Sequence, residues 1–562
     1  MVQDLIRDST VRQLLNYLSS GRLLPYPEQR PEYVVPKHFL LPSSERINPD
    51  AVASDAATLC GDSSDKTKED SEDSSPPDTE IKRESTASTL AVDLESQQKQ
   101  IHDATTVPDP YLVGWDGDSD PENPRNWSFS KRAFVAFNIS FLTFSVYIGS
   151  AIYTSSIPGL MAEFNVSLVT ATLGLMLYVL AYGIGPMFLS PLQELPILGR
   201  NPVYMATLFL FVIFQIPLVN AKNMSTVLAM RFMTGFFGSP ALATGGASMA
   251  DIFSPHQCAY VLGVWALGAV AGPITGPVIG GFAAQAESWR WPMMELLWIT
   301  SFAVVFLSLF LPETYEPTIL LRRAQRLRKL TGNPNLRTAA ERDEASKSAK
   351  EVVYESLVRP FVLAKEPALA FANIYLGFVY AIFYLWFEAF PLVFNGIYHF
   401  NEGISGLPFL AFIVSGSITY TAYCLYQKYH IAPRYARALA VNTDVAPEIR
   451  LEIGLMASIF IPTSVLIFGF SSKASVPWIV PVIGAALYLP GIFLNFQSIL
   501  MYVTSAYPAY AALFGRTFFT NLGLGPGSAL LAGISFLLMP VFWLLIKYGH
   551  VLRQRSKYAH SL

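Results

Sequence analysis

Gly268-Ala-Val-Ala-Gly272-Pro273-Ile-Thr-Gly276-Pro277-Val-Ile-Gly280-Gly281 lies inside an apolar run from about residue 258 to 283 and carries no charge. Glycines four residues apart share one helix face and let neighbouring backbones approach closely. Pro273 and Pro277 remove backbone donors, which a packed membrane bundle tolerates because neighbouring groups satisfy the carbonyls left over. Two readings stand: a small-residue packing face, and a specialised bending hinge, which the regular GxxxGPxxGPxxGG spacing favours. Both place the segment in a bilayer.

The same kind of run recurs outward from it. The 562 residues are 52% hydrophobic and 14% charged, with mean hydropathy +0.36, against about a quarter charged in soluble domains. The first ~130 residues are polar, and the apolar excess follows them. A spanning helix needs roughly 20 apolar residues. Runs of that kind occupy approximately 134–154, 172–192, 203–219, 228–250, 258–283 and 293–312, then 368–394, 406–426, 453–471, 479–503 and 526–547. Between the last two, AYPAYAALFGRTFFTNLG is barely long enough to cross and contains Arg516. The expected fold is an all-α polytopic membrane protein of two six-helix bundles, with the eleventh span short or truncated. Residues 1–130 are expected as a largely disordered cytoplasmic tail. The bundles take 131–314 and 367–548, joined by a cytoplasmic loop at 315–366, and 549–562 form a second tail.

Orientation follows from charge. Arg322, Arg323, Arg326, Arg328 and Lys329 follow the sixth span, Lys428, Arg434 and Arg437 follow the eighth, and Lys547, Arg553, Arg555 and Lys557 end the chain. Basic residues stay cytoplasmic, so both termini are expected inside. The sequons Asn165-Val-Ser and Asn223-Met-Ser then face outward as glycosylation candidates. The first residues, MVQDLIRDST, lack a signal-peptide core, so insertion is expected to rely on the first span. Within the tail, Val11, Leu14, Leu15 and Leu18 recur at helical spacing and predict a short amphipathic helix. Asp50 to Asp103 is too polar to offset its ordering entropy and reads as disordered.

A net charge of −3 suggests no nucleic-acid partner. Cys60, Cys258 and Cys424 share no spacing, so neither a disulfide framework nor a metal site is indicated. No GxxxxGK[ST] loop is present, which disfavours an ATP-driven pump. No paired His ligands or nucleophile elbow appear among the spans, so the chain is not read as an enzyme.

Ionisable residues inside spans are costly and normally face a partner or an aqueous cavity. Arg231 opens RFMTGFFG in the fourth span, and Asp251 ends that helix as a candidate interfacial cap. Glu388 lies in the seventh, where Tyr380, Tyr384 and Glu388 share one stripe at i, i+4, i+8. Its carboxyl is a candidate proton carrier, and the aromatics beside it suit a flat or cationic ligand. A structural glutamate bonded to a neighbouring helix is the alternative. Phe387 beside it, and Glu295 one turn into the sixth span, are further cavity candidates. Asn138, Asn373, Asn495 and Gln497 serve equally as interhelical glue or ligand contacts. Glu194, Gly199 and Arg200, leaving the second span, form either a latch of paired charges or a turn with an arginine snorkelling to the interface.

With these residues in hand, the chain resembles the fungal twelve-span drug:proton antiporters of the major facilitator superfamily. The likeness runs from RDSTVRQLLNYLSSGRLLPYPEQRPEYVVP at 7–36, through Trp115-Asp116 and Asp120-Pro-Glu-Asn-Pro-Arg-Asn-Trp127-Ser, to the end. GPMFLSPLQELPILGRNP is similar to the family's loop between spans two and three, with Glu194 where many relatives carry Asp. RFMTGFFG, the glycine-proline motif, FEAFP at 387–391, LPET at 311–314, LRRAQRLRK and Pro447-Glu-Ile-Arg450-Leu also agree. In relatives about twenty residues separate the YPAYAA-like and FGRTFFTNLG-like stretches, whereas Ala512 here runs directly into Leu513. The resemblance implies alternating access in a major facilitator fold. Arg231 and Glu388 would take part in proton coupling, and Gly268, Gly272, Pro273, Gly276, Pro277, Gly280 and Gly281 would form the antiporter motif. Glu194, Gly199 and Arg200 would make the cytoplasmic gate. It also implies a monomer, a proton gradient in place of a cofactor, and export of antifungal drugs or a self-made toxin. The expected partners are the bilayer and a small-molecule substrate, and the location is the plasma membrane, with vacuolar or vesicular membrane as alternative. An importer or facilitator of a small nutrient or polyamine, and a non-transporting sensor, remain alternatives.

Overall fold

The computed structural model describes residues 9–18, 111–117, 119–346, 367–441 and 445–506, with Tyr26, Glu28, Tyr33, Val35 and Phe39. The expected disordered stretch at 50–103, the eleventh and twelfth spans and the C-terminal tail lie outside the described residues.

Nine helical stretches among the described residues are long and apolar enough to cross a membrane. The first span is Phe129–Ala151, continued by a 3-10 turn Ile152–Ser156 and a helix Ile157–Phe164. Ser128 caps its start, accepting from Lys131 N, and Asn165 ends the outer helix in the left-handed region, φ 50°. Ser167 then caps the second span, Leu168–Gln193, so the turn between them is only three residues long. The third is Arg200–Val219, and the fourth is divided at Ser239 into Met224–Gly238 and Pro240–Ile252. The fifth, Pro255–Ala286, runs unbroken through both prolines, and the sixth is Trp291–Phe310. Helices Glu316–Thr331 and Ala339–Ser346 follow.

The seventh span is Pro367–Phe394. The eighth combines Glu402–Gly406, Leu407–Phe409, Leu410–Tyr426 and Gln427–Ile431, the last a π-helical turn. Glu452–Ala457 and Phe460–Ser471 form the ninth, and Ile479–Ala486 and Tyr488–Ala506 the tenth.

Large apolar side chains point outward along the spans. Phe302 and Val305 are 60% and 62% exposed, Ile418 is 66% and Phe470 72%. A water-soluble surface rarely carries so continuous an apolar belt, whereas lipid is its natural solvent. The chain is a multi-pass membrane protein.

Contacts between span ends establish the alternation of the first six. Glu163 accepts two bonds from Arg290, at 2.8 and 2.6 Å, and one from Trp289 Nε1 at 2.6 Å. Arg290 also donates to Ala221 O, so the turns after the first, third and fifth spans meet on one face. The opposite face carries the ends after the second, fourth and sixth, and there the N-terminal segment docks. Ser9 is fully buried and pairs with Pro312, and Thr10 Oγ1 donates to Asn201 Oδ1 at 2.9 Å. The amphipathic helix is Thr10–Leu18. Reading 1–130 as a tail therefore leaves out an N-terminal element bonded to the starts and ends of spans.

A second, smaller unit comprises 26–114 and 322–339. Phe39, Val113, Ala324, Leu327 and Leu336 form its apolar core. Glu28 is buried at 2% exposure between Arg323 and Arg326, at 3.3 and 3.1 Å, and Arg326 lies over the Tyr26 ring. Two of the basic residues on which the expected orientation rests are thus paired by a residue of the N-terminal segment.

Candidate functional site

Arg231 is fully buried in the fourth span. Its Nη1 donates to Gly149 O at 2.8 Å, Nε to Gly174 O at 3.2 Å, and Nη2 to Ser150 O at 3.5 Å. The rings of Tyr178 and Tyr153 flank the guanidinium at 4.3 and 4.5 Å. Both hydroxyls are turned away to backbone carbonyls, Tyr178 to Val146 and Tyr153 to Ala171. No carboxylate pairs with Arg231 among the described residues. The carbonyls of Gly149 and Ser150 become available here because the α-helix of the first span gives way to a 3-10 turn at Ile152, loosening its last acceptors. Gly235 lets the second and fourth spans touch, since a Cβ there would stand 2.3 Å from Tyr178 O, and Gly174 makes room for Tyr153, whose hydroxyl would stand 2.3 Å from a Cβ on Gly174.

From Arg231 a column of tyrosines leads to the seventh span. Tyr182 stacks on Tyr178 and on Tyr147, with centroids 5.9 and 5.7 Å apart. The Tyr147 hydroxyl is hydrogen-bonded to that of Tyr380, which donates to Tyr384 at 3.3 Å. Tyr380 and Tyr384 pack against the apolar cores of both halves, so their stripe faces the interface between bundles. Glu388, next on the stripe, is half-buried, and among the described residues its buried Oε1 has no hydrogen-bond partner.

The remaining cavity candidates separate. Phe387 is stacked on Phe409 at 5.2 Å within the aromatic core around Trp386. Asn138 Nδ2 donates to Phe310 O, fastening the first span to the sixth, and Asn495 Nδ2 donates to Gly491 O in its own helix while its Oδ1 meets Ser458 of the ninth span. All three make packing contacts, and Asn138 Oδ1 is buried without a partner among the described residues. Gln497 donates to Ala259 O of the fifth span at 3.1 Å, a bond between bundles. Glu295 is half-buried in the first turn of the sixth, and the Asn373 side chain is outside what is described.

In the glycine-proline motif, Gly272, Gly276 and Gly280 lie against the first span, where a Cβ on Gly276 would be 2.7 Å from Ile152 N. Gly281 lies against the eighth, with Glu402 O at 2.7 Å from such a Cβ. Gln285, one turn on, accepts from Gly403 N at 3.0 Å. Pro273 and Pro277 are buried within the same contact face, where Gly406 meets the Pro277 carbonyl. Gly268 is different: its nearest neighbour would be Ser140 Cβ at 3.6 Å, an ordinary contact.

Beside the N-terminal segment, Arg200 pairs with Asp251, Nε to Oδ2 2.7 Å. Asp251 is thus an ion-pair partner linking the third and fourth spans. Glu194 takes part through its carbonyl, which accepts from Tyr315. Buried Glu313 holds the assembly together, accepting from the backbone amides of Arg200, Asn201, Thr314 and Tyr315 at 3.0–3.2 Å. Gly199 has φ 78°, and a Cβ there would meet Glu313 Oε2 at 2.5 Å, so only glycine fits. Glu313→Ala strands several buried amide donors and is expected to cost about 2–4 kcal/mol, read as a lowered thermal midpoint in detergent with less protein in the membrane. Asn165 and Asn223 are exposed on the far face. Asn223 caps the fourth span through Oδ1, accepting from Thr226 N, which leaves the nitrogen a glycan would take outside the cap.

Comparison with known proteins agrees with this architecture. The Major Facilitator Superfamily profile matches residues 139–529. The chain belongs to the major facilitator superfamily. Transporter mfs1 of Schizosaccharomyces pombe is 41% identical over 80% of this chain and 88% of its own length. The cycloheximide resistance protein of Candida maltosa is 36% identical over 99% of both chains. Fluconazole resistance protein 1 of Saccharomyces cerevisiae is 38% identical over 81% and 86%. Among solved structures, a partially occluded inward-open xylose transporter XylE of E. coli matches at TM-score 0.50 and 14% identity, covering 74% of this chain and 98% of that one. That likeness carries the fold alone. The superfamily consists of transporters, so this chain is a membrane transporter and not an enzyme.

The sequence did not single out Tyr147, Tyr178 or Tyr182, since a tyrosine within an apolar run reads as core. Glu313 was marked only by the LPET resemblance.

Proposed function

We propose that this transporter exports toxic lipophilic small molecules, antifungal drugs or a self-made toxin, in exchange for protons. It would work as a monomer in the plasma membrane with the N-terminal face in the cytoplasm. The observation that carries this reading is the end-to-end likeness to a protein named for cycloheximide resistance. The site supports the coupling. Arg231 in one half carries a charge held by carbonyls, while Glu388 in the other has an oxygen without a partner among the described residues. Proton uptake on such a carboxylate changes what it can bond to, and only interactions that differ between the two states can shift their populations.

The test is drug accumulation in a yeast lacking its own exporters, with cycloheximide and fluconazole as probes. Cells expressing the protein are expected to accumulate less of at least one drug. A protonophore should abolish the difference, and Glu388→Gln should reduce export at least about tenfold, equivalent to about 1.4 kcal/mol or more of coupling. Raising external pH at fixed internal pH removes the inward gradient and should slow export. Higher accumulation on expression would favour the importer. Resistance without any change in accumulation, unaffected by Glu388→Gln, would favour the sensor.

A further inference from the structure

We infer that Tyr147 and Tyr380 form a hydroxyl latch between the first and seventh spans, positioning the Glu388 helix relative to Arg231 so that proton and substrate movements stay coupled. The inference rests on the proposed exchange of drug for protons.

Four observations carry it. The Tyr147 and Tyr380 hydroxyls bond to each other across the two bundles. Tyr147 is buried, and its ring is held in a stack through Tyr182 and Tyr178 that ends on the Arg231 guanidinium. It cannot turn away from Tyr380 without opening that stack. Arg231 also binds the carbonyls of Gly149 and Ser150, two and three residues beyond Tyr147, which fixes the face of the first span that Tyr380 meets. On the other side, Tyr380 bonds to Tyr384, and both touch the cores of the two halves. The next position on their stripe is Glu388.

A displacement of the seventh span that accompanies a change at Glu388 must therefore break or re-form the Tyr147–Tyr380 bond. The latch thus ties the state of the carboxylate to the relative position of the bundles. Tyr147 and Tyr380 act as positioning residues here. Neither needs to touch the transported molecule, and the ring packing alone would not give the bond.

The experiment uses the full chain in proteoliposomes, with Tyr147→Phe, Tyr380→Phe and the double variant. Phenylalanine keeps the ring and the stack and deletes only the hydroxyl. Two quantities are read: proton leak under an imposed gradient without drug, and the Vmax and KM of gradient-driven fluconazole or cycloheximide export. Thermal midpoints in detergent confirm that all variants are folded. Each single variant is expected to raise leak about three- to tenfold, the weight of one buried hydrogen bond. Vmax should fall with KM changed less than about twofold. The double variant should be no worse than either single one, because both delete the same bond.

Additive effects in the double variant would overturn the latch, as would a change confined to KM, which marks a substrate contact. Wild-type leak and Vmax in every variant would reduce the tyrosines to packing. The leak assay contains no drug. If the wild type moves neither probe while the variants leak as expected, the export reading fails and the latch stands. If export is gradient-driven but the variants match wild type, the latch fails and the export reading stands.

Discussion

Arg231→Leu is expected to abolish export and to leave less folded protein in the membrane. Leucine fills part of the volume between Tyr153 and Tyr178 but offers nothing to the carbonyls of Gly149, Ser150 and Gly174, which the guanidinium holds at 2.8–3.5 Å. Bonds to a charged donor contribute about 1.5–3 kcal/mol each, and stranded buried acceptors add their own desolvation cost. A total on the order of 4 kcal/mol is large beside ordinary domain stabilities of about 5–15 kcal/mol. Arg231→Lys separates folding from function. Its ammonium keeps the charge and can reach one or two of the carbonyls, but it has no flat face for the two rings and no fork to span carbonyls on two helices. This variant is expected to reach the membrane at near wild-type amounts and to export at least about tenfold more slowly. Immunoblots of membrane fractions, thermal midpoints and initial export rates distinguish the cases. A lysine protein exporting at the wild-type rate would mean that charge alone suffices and the tyrosine cage is idle.

The architecture was legible because membrane spans announce themselves by length and apolarity, as the fifth span does. Its 258–283 run became Pro255–Ala286 with both prolines inside. The edges were less legible. The first run was read as 134–154 but extends as Phe129–Phe164, because the cap at Ser128 and the left-handed turn at Asn165 are polar and contribute nothing to hydropathy. The fourth run hid its division at Ser239, where a proline at the first helical position starts a new helix. Within the site, the unusual types stood out from sequence: an arginine and a glutamate inside spans. Their partners did not. Arg200 was read beside Glu194, and Asp251 as an interfacial cap; the packing of the third span on the fourth is what brings Asp251 to the guanidinium. That no carboxylate among the described residues pairs with Arg231, and that backbone carbonyls of two helices take its place, depends on tertiary contacts that residue types do not encode. Asn138, Asn495 and Phe387 show the converse. Polarity or position made them cavity candidates, and each also makes packing contacts that residue type alone does not reveal.

The glycine-proline motif yields the sharpest contrast, since one spacing pattern contains positions with opposite expectations. Gly276→Val is expected to eliminate gradient-driven export. Its Cβ would sit 2.7 Å from Ile152 N and 3.2 Å from Ala151 Cβ, and two further methyl groups have no space on that face. The first span would have to retreat where it turns from α to 3-10 geometry beside the Arg231 carbonyls. Overpacking of this kind costs about 1–3 kcal/mol even where side chains can yield, and here the obstruction is backbone. Gly281→Leu should act similarly on the eighth span, where Glu402 O is the obstacle. Gly268→Ala, in the same motif, places its methyl 3.6 Å from Ser140 Cβ and should export at near the wild-type rate while stabilising the helix by up to about 1 kcal/mol. Proton leak in proteoliposomes without drug reports whether a separated first span opens the path, and export rates report its consequence. If Gly268→Ala were as damaging as Gly276→Val, the motif would act through helix flexibility along its whole length. If Gly276→Val were harmless, close backbone approach would be dispensable. The steric reading survives only if the two variants differ, and it places the difference at the turn of the first span that Arg231 holds.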